Sequence, residues 1–235
     1  MESFEELGVA PEIADVLTAE GIEEPTAFQA AAIPVLLRGN PLLAQAGSGA
    51  GTLVAYGVPL LQRVDPDASS PRAVVLAPSV DSANRLAGSL SRVAVASGHR
   101  IGALEAGWAR PETAGILFST PGDLLRSVRS SRISLEELQS VVVDGFGSLS
   151  TQERDALRTL LESTPKDAQK VLLAQPLSEE AEAFGRAHLS RAVHLPPRAA
   201  QAGGGEEPLR RGEVAYRIVG EEKEGAVLQT VASIL

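Results

Sequence analysis

Cysteine is absent from the 235 residues. That removes disulfide frameworks, thiolate metal sites and cysteine nucleophiles together. Histidine is scarce: His99, His188 and His194 stand apart, with no HxxxH or HExxH spacing, so no metal site is expected. Among 21 cationic side chains only Lys166, Lys170 and Lys223 are lysines. Acidic residues number 30, giving a net charge of −9 and a pI near 4.9. Long-range electrostatics therefore work against a phosphate backbone as partner. No apolar run approaches the roughly 18 to 20 residues that a bilayer crossing needs. The start, Met1-Glu2-Ser3-Phe4-Glu5-Glu6, lacks both the cationic opening and the apolar core of a signal peptide, so a cytoplasmic location is expected.

The composition is 44% hydrophobic and 22% charged, ordinary for a globular chain whose length allows one large domain or two small ones. Short runs of β type occur at 42–45, 73–77, 101–104, 115–119, 141–144 and 171–174. Segments of helical spacing lie between most of them, at 26–37, 52–63, 81–96, 121–128 and 152–161. Short strands separated by helices imply a parallel sheet covered on both faces, an α/β doubly wound fold. Ligands in such sheets bind beyond the carboxyl ends of the strands.

After Leu195 the composition changes. Residues 198–212, with Gly203-Gly204-Gly205-Glu206-Glu207-Pro208, bury almost nothing and read as a linker. Residues 213–235 then carry a strand-like run, 214–219, and a helix-like run, 221–235. One strand and one helix cannot bury a core alone, so this extension is expected to pack on the main domain, on another chain or on a further part of a longer protein.

The most informative stretch is Gly21-Ile22-Glu23-Glu24-Pro25-Thr26-Ala27-Phe28-Gln29, with Phe4 seventeen residues before Gly21. Read by itself it is a capped helix start, with Thr26 as the cap. The spacing closely resembles the adenine-reading Q motif of DEAD-box RNA helicases. The likeness continues through residues 39–46 and 56–63, similar to that family's strand, phosphate loop and following helix. It covers residues 1–197 as an N-terminal RecA-like domain, while 213–235 is similar to the opening of the family's second domain.

The resemblance implies nucleotide contacts at Phe4, Pro25, Thr26, Gln29, Gly49, Gly51 and Asp144. It also implies what is missing. A working phosphate loop needs glycines, a lysine for the phosphates and a hydroxyl for magnesium. In the gapless register Thr52 stands at the lysine position and Leu53 at the hydroxyl position, and a register shifted onto 47–52 still holds no lysine. The nearest cation in sequence is Arg38. Val141-Val142-Val143-Asp144 resembles the strand that ends in the magnesium-holding aspartate, but the family's following glutamate is Gly145 here. Asp144 therefore reads better as a turn or helix-cap residue than as a metal holder. The Ser-Ala-Thr that couples hydrolysis to strand separation is Ala174-Gln175-Pro176.

On the RNA-facing side, Pro78, Ser79, Thr120, Pro121 and Gly122 match the family, but an arginine has become Val80 and another Asp123. Thr120-Pro121-Gly122 is also explained as a threonine cap with proline at the first helical position. Arg126, Arg129 and Arg132 form a small basic group, with Glu136 and Glu137 expected to neutralise it, and Trp108 reads as a partner anchor or a packing residue. From sequence, then, the chain is expected to be a degenerate helicase-like protein working as a binding or scaffolding subunit of a larger assembly. The alternatives are a non-hydrolysing adenine-nucleotide module and an ATP-dependent RNA helicase or a fragment of one. No cofactor is required; an adenine nucleotide is expected to bind weakly, with adenosine, ADP and ATP alike. Protein partners are expected, RNA is disfavoured by the net charge, and no membrane segment is read.

Overall fold

Alternate strand residues decide which face of the sheet each side chain enters, and a computed structural model of residues 2–47, 49–106 and 111–196 shows the result. Strands β1 (Leu42–Gln45), β2 (Ala73–Leu76), β3 (Ile101–Ala103), β4 (Ile116–Ser119), β5 (Ser140–Asp144), β6 (Gln169–Ala174) and β7 (Val193–Leu195) form one sheet in the order β3-β4-β2-β5-β6-β1-β7. Every pairing among the described residues is parallel. Leu42, Ala44, Ala73, Val75, Val142, Val171 and Leu173 join one core. Their neighbours Leu43, Val74, Leu76, Val141, Val143, Leu172 and Ala174 join the other. This period of two, with both faces apolar, is why the strands read as continuous hydrophobic runs.

The first face carries α1 (Pro11–Ala19), α2 (Ala27–Leu37), α3 (Thr52–Arg63) and α4 (Val80–Ala96). The second carries α5 (Pro121–Arg129), α6 (Thr151–Ser163) and α7 (Glu179–His188). Thr26, Ser79, Thr120, Ser150 and Ser178 each accept the N–H three residues on, so five helices start on a side-chain cap. At the opposite end of the sheet, Gln169 ties three elements together. Its Nε2 donates to Leu36 O (3.0 Å) and Asn40 O (2.8 Å), while Oε1 accepts from Arg63 Nη1 (2.8 Å).

The doubly covered parallel sheet and all six expected strands are present. The structure adds β7, a three-residue edge strand pairing with β1. Its half-buried Val193-His194-Leu195 is too short and too polar to register as an apolar run. It also adds α1 and α7. In α7 the buried Ala181, Phe184 and Gly185 are diluted by Glu179, Glu180 and Glu182. The linker 198–212, the extension 213–235, Trp108 and Ser48 lie outside the described residues.

Candidate functional site

The loop 46–51 carries the chain from β1 to α3. Gly49 (φ 84°) and Gly51 (φ 71°) both adopt the left-handed conformation that a side chain would strain. Gly51 is the N-cap, so Thr52 and Leu53 take the first two helical positions. Two hydrogen bonds hold this loop to the start of α2. Thr26 Oγ1 donates to Ala50 O at 2.8 Å, and Gln29 Nε2 donates to Gly51 O at 3.0 Å. Gln29 Oε1 in turn accepts from Thr26 N at 2.8 Å, closing a capping box. A methyl group on Gly51 would overlap the Gln29 amide.

A cleft of about 420 Å³ opens where β1, β2, β5 and β6 end. Gly47, Gly145 and Gly147 bring backbone to its surface, and Thr52, Pro78, Ser82 and Gln175 contribute to its walls. Among the described residues of its lining, Asp144 and Arg85 are the charged ones. Asp144 reaches across the sheet end to α3, where the Tyr56 hydroxyl donates to Oδ2 at 2.9 Å. Burial lifts the Asp144 carboxyl above its ordinary 3.8, with the Tyr56 hydrogen bond opposing. Burial, joined by the Asp144 charge and hydrogen bond, drives the Tyr56 phenol upward too.

This raised carboxyl has a stability consequence. The native state binds the Asp144 proton more readily than the unfolded chain does. Its contribution is therefore fully present below pH 3.8 and is lost as pH rises through the folded value. At neutral pH the ionised, half-desolvated carboxylate costs stability. Asp144→Asn keeps an acceptor for Tyr56 and removes the charge. The variant should melt above the parent at pH 7, with the gap narrowing on acidification towards 3.8. Thermal melts across that range check it, and a gap independent of pH contradicts it.

The structure separates the residues expected at the nucleotide site. Asp144 lines the cleft, as do Thr52 and Gly145; Leu53 instead packs against the first core. Ala174 is buried in the second core and its successor Gln175 takes its place at the cleft. Phe4 is 3% exposed and packed in the first core, so its ring presents no open face to an adenine in this conformation. Gln29 is 2% exposed with both amide ends bound to protein. Pro25 and Thr26 stand at the start of α2, half-buried, with Thr26 serving as cap and loop tether. The cap reading of Asp144 is corrected: the turn after it starts at Gly145 without a side-chain cap, and the carboxylate serves Tyr56.

On the RNA-facing side Pro78 lines the cleft and Ser79 caps α4. Thr120 and Asp123 form a reciprocal buried pair, Thr120 Oγ1 donating to Asp123 Oδ2 at 2.8 Å and accepting Asp123 N at 3.1 Å. Pro121 follows as the first helical residue. The Gly122 N–H, which the resemblance leaves for a phosphate, donates to Glu153 Oε2 at 2.7 Å. An internal carboxylate thus holds that position. Two of the three arginines are paired, by other partners than expected: Arg126 pairs with Asp123 and Arg132 with Glu112, while Glu137 pairs with Arg72. Tyr56, Arg85 and Glu153 carry the geometry without having been singled out from sequence. Tyr56 falls one turn after Thr52, and Arg85 one turn after Ser82, which is the signal that could have placed the first two.

A parallel sheet with a glycine loop running into a helix, an aspartate ending a central strand and a cleft beyond the strand ends defines a RecA-like α/β domain of nucleotide-site architecture. The DEAD/DEAH box helicase model matches residues 26–183, and the chain belongs to that family. The ATP-dependent RNA helicase DeaD of Haemophilus influenzae is 30% identical over 186 residues, covering 75% of this chain and 30% of that protein. The ATP-dependent RNA helicase DBP5 of Kluyveromyces lactis is 27% identical over 202 residues, covering 83% of this chain and 43% of that one. Saccharomyces cerevisiae Dbp5 bound to RNA and ADP BeF3 superposes with a TM-score of 0.77 at 25% identity, over 83% of this chain and 52% of that one. The chain spans less than half the length of these two curated relatives.

Proposed function

We propose that this chain is a catalytically degenerate DEAD-box-type domain that binds rather than turns over, serving in the cytoplasm as a subunit of a larger assembly. The observation that carries the reading is the charge inventory of the cleft lining among the described residues: Asp144 and Arg85, with neither a lysine nor a second carboxylate. A hydrolytic site of this family needs a phosphate clamp, a metal and a group that orients the attacking water. The donor set does not fit magnesium, which favours one or two free carboxylates beside substrate phosphates. Asp144 already accepts from Tyr56, its neighbour is Gly145, and Leu53 brings no hydroxyl. Losing a general base alone costs on the order of 10² to 10⁴ in rate. Partner binding is supported by the acidic balance and by the yeast relative, which has been solved bound to Gle1 and IP6 as well as to RNA.

Phosphate release from magnesium-ATP should stay at background with or without RNA. Magnesium-dependent turnover that disappears in Asp144→Ala would overturn the reading in favour of an active helicase domain. A second reading, a module that holds an adenine nucleotide without hydrolysing it, is favoured by one specific observation, the open 420 Å³ cleft with its unspent arginine.

A further inference from the structure

The cation expected to be missing from the phosphate loop is present in space, supplied from a different element. Arg85 lies on α4, 33 residues after Thr52 in sequence, yet both line the same cleft. It forms no ion pair with a carboxylate among the described residues. Its guanidinium instead donates to Ser82 Oγ at 3.2 Å, and Ser79 Oγ donates to that same hydroxyl at 3.0 Å. The three side chains follow at intervals of three residues, so a short hydroxyl chain rooted in the α4 cap steers the guanidinium. Ser82 and Arg85 both belong to the cleft lining.

The surface around Arg85 suits an oxyanion. Gly47 is half-buried and Gly147 exposed, and among the described lining residues the one carboxylate, Asp144, accepts from the Tyr56 hydroxyl. A guanidinium keeps its charge at any working pH and presents forked donors that match phosphate oxygens. We propose that Arg85 is the phosphate-binding cation of this cleft, taking the terminal phosphates of an adenine nucleotide from α4 without magnesium. The inference rests on the second reading above, a nucleotide held without hydrolysis. It reverses the expectation that adenosine, ADP and ATP bind alike.

Calorimetric titration of the full chain with adenosine, ADP and ATP, in EDTA and then in magnesium, tests it. ADP should bind at least about tenfold more tightly than adenosine in EDTA, about 1.4 kcal/mol, since hydrogen bonds to a charged guanidinium are strengthened by the charge. Magnesium should leave that ratio within a factor of about two. Arg85→Ala should bring ADP down to the adenosine level with the melting temperature unchanged, because the side chain is exposed. Arg85→Lys should recover part of the preference as a point charge without the fork. An ADP-to-adenosine ratio unaffected by Arg85→Ala, a preference seen in magnesium alone, or no nucleotide binding at all each overturns the assignment. Phosphate release in the same samples is read separately: turnover refutes the non-hydrolysing reading, whereas silence with an unaltered ratio refutes Arg85 alone.

Discussion

Replacing Gln169 by leucine is expected to cost about 3 kcal/mol, a fall in melting temperature of roughly 6 to 12 °C for a domain of this size. The side chain is 3% exposed at the first residue of β6, and leucine fills a similar volume. The loss is therefore of bonds. Asn40 O loses a partner at 2.8 Å, Leu36 O one at 3.0 Å, and Arg63 an acceptor at 2.8 Å. Leu36 O keeps a weaker contact from Arg63 at 3.3 Å, which moderates the penalty. Arg63 and Gln169 form one network, so Arg63→Leu combined with Gln169→Leu should cost clearly less than the two single changes summed. A melting temperature within about 2 °C of the parent for Gln169→Leu would show that Arg63 alone holds the ends of α2 and α3 to the sheet.

Gln169 also illustrates what could be read from sequence and what could not. The strands were legible because burial on both faces makes most positions apolar, and α2 to α6 because their apolar residues recur at helical spacing, whereas α7 was missed although Ser178 caps it. Gly49 and Gly51 were legible as loop glycines, since backbone with φ near +80° favours glycine. The polar partnerships were not. Tyr56 and Asp144 meet across 88 residues of chain, and a tyrosine within an apolar helix looks like any core aromatic until its hydroxyl finds a partner. Arg85 reads as a solvated helix residue because nothing in the sequence says which strand end its helix overhangs. Glu153 sits in an ordinary α6 sequence, and its bond to the Gly122 amide arises from how α5 and α6 pack. Pattern reports which face is buried; it carries no information about which two polar atoms a fold brings within 3 Å.

The second large effect is expected at Gln29, where a structural role and a ligand-reading role predict different outcomes. Gln29→Ala leaves Thr26 N without its partner, at about 1 to 3 kcal/mol, while Gly51 O keeps only the Ala55 N–H. The melting temperature should therefore drop by roughly 2 to 12 °C in the absence of any nucleotide. Gln29→Glu separates the two bonds. Its carboxylate can still accept from Thr26 N at the positive end of α2. The Gly51 carbonyl, however, would face an oxygen in place of the Nε2 donor. That variant should retain the helix cap and lose the loop tether. Amide exchange should then quicken at Ala55, whose N–H bonds Gly51 O at 3.0 Å, while α2 stays protected. If Gln29 served to read adenine and not to hold the loop, both variants would melt with the parent and differ from it in nucleotide affinity alone. A stability loss without nucleotide fixes the glutamine as the clasp that shapes the loop beneath the cleft.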